Sequence, residues 1–128
     1  MRRDLLILAC AISAGIHGAL APEHFAEGAG AGVGFVAATA VLAALVVAVT
    51  LRPASPLAVA AAAAVFAGLL VSYALAIPTG LPILHPDREP VTGLALATKA
   101  IEAVGLLAAW SLIRRPSLAL TIPHLKGT

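Results

Sequence analysis

Four apolar runs, Leu5 to Ala21, Ala31 to Leu51, Leu57 to Ile77 and Val91 to Ile113, occupy most of a 128-residue chain. A helix rises about 1.5 Å per residue and needs about 20 apolar residues to cross a ~30 Å hydrocarbon layer. Three of the runs reach that length and the first approaches it. A backbone in lipid must satisfy its own hydrogen bonds, which leaves helices or closed barrels. The chain therefore reads as all-α, a four-helix transmembrane bundle, with residues 1–128 forming a single transmembrane domain and no separate soluble one.

Composition agrees, because only 11% of residues are charged against about 25% in an average soluble chain. The net charge of +2 is scattered over span ends and forms no patch, so nucleic acid is not expected as a partner. If the spans alternate, Arg2, Arg3, Arg52, Arg114, Arg115 and Lys126 fall on one side, and the opposite loops hold only Arg88. The positive-inside rule then makes both termini and the Arg52 loop cytoplasmic, in a multi-pass protein. Trp110 and Tyr73 suit interfacial anchors. Arg2-Arg3, the first run and Ala19-Leu20-Ala21 together imitate a secretory signal, but Pro22 would follow the cut and disfavours cleavage. The single cysteine, Cys10, excludes a disulfide framework or a thiolate metal cluster and reads as a small buried hydrophobe.

Small residues suggest which faces pack. Ala11, Gly15 and Ala19 recur every four positions in the first span, Gly28, Gly30, Gly32 and Gly34 lead into the second, and Ala60 to Ala64 smooth the third. Close helix approach in lipid uses such faces. The short Arg52-to-Pro56 linker makes spans two and three antiparallel neighbours. Between spans three and four, Pro78, Pro82, Pro86 and Pro90 stand four apart and stiffen a loop carrying His85, Asp87 and Glu89. Pro90 is expected in the first turn of span four.

Polar residues gather toward the outer half. Glu23, His24, Glu27, His85, Asp87 and Glu89 belong to the outer loops, and His17 lies about 6 Å below the outer end of its span. Within the last span, Thr92, Ala95, Lys99 and Glu102 share one helical face by their three- and four-residue spacing. Ionisable residues at that depth face a bundle interior, a water-filled cavity or a partner. With His17, and with Ser13, Ser72 and Tyr73, this stripe outlines a polar cavity open to the exterior. Lys99 and Glu102 equally suit a structural ion pair, and His17 suits a hydrogen-bonded interior histidine.

Imidazoles and carboxylates without thiols are a ligand set for zinc, copper or iron, and the candidate ligands are His17, His24, Glu27 and His85. A transferable haem would need more intramembrane histidines. A proton or ion pathway is the other chemical reading, with Glu102 titrating and Lys99 tuning it. Small multidrug exporters carry their essential acid in the first span, where this chain has His17. No serine-histidine-acid spacing, nucleotide loop or HExxH signature occurs, and enzymatic activity is not expected.

His17 followed by Pro22-Glu23-His24, Gly34-Phe35, Gly80-Leu81-Pro82 with Glu89-Pro90, and Lys99 with Glu102 resemble a set of small four-span membrane proteins of high-GC actinobacteria without an assigned activity. The resemblance spans nearly the whole chain and implies a four-helix membrane bundle but no substrate. Three functional expectations follow: an outward-facing pocket for a metal or small cation, a small proton-coupled or ion-conducting transporter, or an accessory subunit of a larger membrane complex. The bilayer is the expected environment, with a homo-oligomer or a larger membrane protein as partner.

Overall fold

Helix boundaries follow from local chemistry. In the computed structural model, which describes residues 1–82, 87, 88 and 90–114, the chain folds into α1 (Arg2–Glu27), α2 (Ala29–Leu51), α3 (Pro56–Thr79) and α4 (Gly93–Ile113). Ser55 caps α3, its hydroxyl accepting from the Ala58 N–H at 3.3 Å, with Pro56 in the first turn where a missing donor is harmless. Thr92 caps α4 in the same way, accepting from the Ala95 N–H at 3.1 Å. All four helices are long and apolar enough to cross a membrane, and among the described residues no strand is formed.

Two boundaries differ from expectation. α1 does not stop at Ala21 but runs through Pro22 to Glu27. Pro22 removes one backbone bond, to the carbonyl of residue 18, and the packing of α1 along α2 and α4 outweighs it. α4 begins at Gly93, so Pro90 precedes the helix and does not occupy its first turn. Thr92 therefore belongs to the cap of α4 and not to its body.

α1 is the central element. It packs against α2 and α4, α4 packs against α3, and α2 and α3 touch sparingly. The apolar core lies toward one end, where Leu6 and Cys10 of α1, Leu42 and Val49 of α2, and Phe66 of α3 meet Ala108 and Ala109 of α4. Phe66 is completely buried with its ring against Gly105, and a Cβ at Gly105 would overlap that ring. Glycine here lets α3 and α4 approach closely, which matters in lipid because packing replaces the hydrophobic effect as the force between helices. Leu8, Ile12, Val47, Val104 and Leu107 lie on the outside, as expected for surfaces facing hydrocarbon.

The Ala11, Gly15 and Ala19 face does not pack as expected. All three are exposed, and a Cβ added at Gly15 would meet nothing within 4 Å. The buried face of α1 instead carries Leu6, Cys10, Ser13, His17, Ala21 and His24. Burying a hydroxyl and two imidazoles away from lipid outweighs the modest gain from presenting small residues to a neighbour.

The basic residues at the core end make specific bonds. Arg3 donates from Nε to the Val49 carbonyl at 3.1 Å and from Nη2 to the Thr50 carbonyl at 2.7 Å, and Arg2 reaches the Ser111 carbonyl at 3.5 Å. These carbonyls lie in the final turns of α2 and α4, which lack intrahelical partners and carry the negative end of the helix dipole. The N-terminus of α1 thus clamps two antiparallel C-termini. Arg52 and Arg114 follow the same two helices, and the Arg114 guanidinium stacks over the Trp110 ring at 4.6 Å.

Candidate functional site

At the end opposite Arg2, Arg3, Arg52 and Arg114 the four helices surround a cavity of about 460 Å³. Each helix contributes: His17, Glu23, His24 and Glu27 from α1, Phe35 from α2, Tyr73 from α3 and Lys99 from α4 are among the lining residues. Most of the remaining wall is apolar, including Ile16, Leu20, Leu69 and Leu94. The pocket is thus an apolar chamber with a polar floor and an acidic rim.

His17 and Lys99 at the floor belong to a hydrogen-bonded network whose other members, Ser13 and Glu102, lie behind the cavity wall. Glu102 is fully buried, yet both its carboxylate oxygens are engaged. Oε2 accepts from Lys99 Nζ at 2.7 Å, and Oε1 accepts from the Ser13 hydroxyl at 3.4 Å. Ser13 and His17 lie one turn apart, and His17 Nδ1 is 2.8 Å from the Ser13 carbonyl oxygen. A carbonyl only accepts, so Nδ1 carries the proton and Nε2 presents its lone pair when the ring is neutral. That Nε2 stands 3.8 Å from Glu102 Oε1.

His24 repeats this arrangement two turns later. Its Nδ1 donates to the Leu20 carbonyl at 2.9 Å, and its Nε2 stands 3.9 Å from Glu27 Oε2. The i−4 carbonyl fixes the tautomer in both cases, as it does for many metal-binding imidazoles. Phe35 packs on both rings, stacked on His24 at 3.6 Å between centroids and tilted to His17 at 5.1 Å.

Sequence-predicted residues therefore separate into two groups. His17 and Lys99 at the floor come together with Ser13 and Glu102 behind it, and His24 lies with Glu27 nearer the rim. His85 and Glu89 fall outside the described residues, as do His124, Arg115 and Lys126. Among the described residues no three His, Cys, Asp or Glu side chains form a metal-holding group. Tyr73, expected both as an interfacial anchor and in the polar cavity, lines the cavity, with Lys99 Nζ 5.2 Å from its ring centroid. Its hydroxyl is buried and has no hydrogen-bond partner among the described residues. Ser72 lines the cavity too, but its hydroxyl donates to the Leu69 carbonyl at 3.1 Å.

Two participants carry little signal in the sequence. Phe35 sits in the nearly uniform apolar run of α2, where no periodicity marks one face. Thr98 is buried at the cavity wall and returns its hydroxyl to the Leu94 carbonyl at 2.8 Å, a bond that satisfies the hydroxyl within its own helix. No protein-family model, curated protein or solved structure matches the chain.

Proposed function

We propose that this chain is a non-enzymatic membrane protein whose outward-facing pocket binds a small cation. The observation that carries the reading is the cavity itself. Its volume of about 460 Å³ lies within the range of roughly 300–1,000 Å³ typical of small-molecule sites. Its rim bears Glu23 and Glu27, its walls include the Phe35 and Tyr73 rings, and the positive charge of Lys99 is balanced by Glu102. Carboxylates and aromatic faces both attract cations. The arginines at the opposite end favour cytoplasmic termini, which turns the pocket outward. A bacterial inner membrane is the setting in keeping with the four-span resemblance.

Choline and its uncharged isostere 3,3-dimethylbutanol test this reading, because they share a shape and differ in charge. Saturable binding of choline to purified protein, weakened by Glu23→Gln and Glu27→Gln and not shared by the alcohol, is the expected result. Equal binding of both compounds, or of neither, overturns it.

A second reading has its own observation. His24 Nε2 and Glu27 Oε2 stand 3.9 Å apart. Metal bonds of about 2.1 Å to nitrogen and to carboxylate oxygen span that separation. Zinc, copper or iron would be held at the rim by His24 and Glu27, with His85 and His17 as further candidate ligands. Elemental analysis of protein purified without chelators or a histidine tag decides the matter. Near-stoichiometric metal that disappears in a His17→Ala, His24→Ala double variant supports the site, and its absence from the parent protein removes it.

A further inference from the structure

We propose that the natural ligand is an amphipathic organic cation, whose head occupies the pocket while its apolar chain lies in the gap between α2 and α3, the route by which it enters from the bilayer. This rests on the cation reading above and names the substrate class. The helix ring is closed where α1 meets α2 and α4 and where α4 meets α3, whereas α2 and α3 touch sparingly. Their ends are joined by the four residues 52–55, and the tight core lies at that same end. Farther along, the two helices flank the cavity with small side chains, Gly34 and Ala38 on α2 and Ser72 and Ala76 on α3. A Cβ built on Gly34 would meet nothing within 4 Å.

The chemistry of the lining orders the ligand. Glu23 and Glu27 at the rim suit an ammonium head by charge, and Phe35 and Tyr73 stand in the wall below them. Leu69 and the small residues beside the gap offer an alkyl chain apolar contact without forcing it out of hydrocarbon. A bare metal ion would leave most of the chamber unfilled, and an anionic head would meet the rim carboxylates with the wrong sign. Lys99 offers such an anion little, because its ammonium is already bonded to Glu102 at 2.7 Å.

The test compares tetramethylammonium with dodecyltrimethylammonium in nanodiscs of zwitterionic phosphatidylcholine, with the uptake of empty nanodiscs subtracted. Gly34→Phe fills the gap from a position with open space around it, Ala38→Leu is a milder obstruction, and Gly34→Ala is the control. We expect the parent protein and Gly34→Ala to bind both probes. Gly34→Phe should weaken the dodecyl probe about tenfold more than it weakens tetramethylammonium, and Ala38→Leu should act in the same direction. Equal effects on both probes, or none on either, overturn the lateral route and leave the cation pocket standing. Failure of the parent protein to bind either probe overturns the cation reading and this inference with it. A change in oligomeric state on Gly34→Phe shows that the gap is an interface between copies of the chain and also overturns the proposal.

Discussion

Lys99 Nζ lies 2.7 Å from Glu102 Oε2, and that carboxylate is completely shielded. The two residues stand one turn apart on α4, so the pair is set by the helix, while Ser13 of α1 supplies the remaining hydrogen bond. A buried charge is tolerated when it is paired and its other lone pairs are satisfied. Breaking one side of such a pair strands the other.

Lys99→Met should therefore destabilise the fold by about 3 kcal/mol. Adding Glu102→Gln to that variant should recover most of the loss, because the uncompensated carboxylate is gone. Denaturant titration in mixed micelles on the two single variants and the double variant measures the coupling. A Lys99→Met protein as stable as the parent would show that the pair contributes nothing to the fold.

At the core end, Gly105→Ala forces a methyl group into the buried Phe66 ring. Overpacking of this kind typically costs about 1–3 kcal/mol. Gly34→Ala, with open space around it, should stay within about 0.5 kcal/mol. Thermal melting in a single detergent compares the two, and an equal response would contradict the close contact between α3 and α4.

Arg3 closes the last turn of α2 with two bonds. Arg3→Ala should cost about 1–2 kcal/mol and increase amide exchange at the end of α2. Arg2→Ala, which loses one longer bond to α4, should cost less. Hydrogen exchange resolved by peptide distinguishes this clamp from a purely topological role, in which exchange at α2 would not change.

Among the described residues the buried Tyr73 hydroxyl has no hydrogen-bond partner, and such a group carries a desolvation cost with no compensating bond. Tyr73→Phe should be neutral or stabilising by up to about 1 kcal/mol. Marked destabilisation in a melting experiment would mean that the hydroxyl has a partner in the membrane, such as an ordered water.

Gly15→Leu places a large side chain on the outward face of α1 and should leave the melting temperature of the isolated chain nearly unchanged. Crosslinking in native membranes extends the experiment. Loss of a higher-order species on this substitution would identify the Ala11, Gly15 and Ala19 face as a contact with another protein.

Hydrophobic run length was enough to read the number of helices and most of their extent, because a bilayer demands about 20 apolar residues whatever the neighbours are. Three-residue spacing on a helix brings Lys99 and Glu102 together without help from the rest of the fold, but spacing alone left a structural pair and a polar stripe facing His17 as equal readings. Caps such as Thr92 and Ser55 are local too, but Thr92 also matched the polar stripe, and position alone did not separate the two roles.

The partners across helices required the three-dimensional arrangement. Which face of α1 turns inward depends on the balance between hiding Ser13, His17 and His24 from lipid and packing Ala11, Gly15 and Ala19. In lipid the first term dominates, because an exposed polar group there has no water to bond. The stacking of Phe35 on His24, the reach of Arg3 to α2 and the gap between α2 and α3 arise from the relative placement of helices. Local periodicity carries no information about that placement.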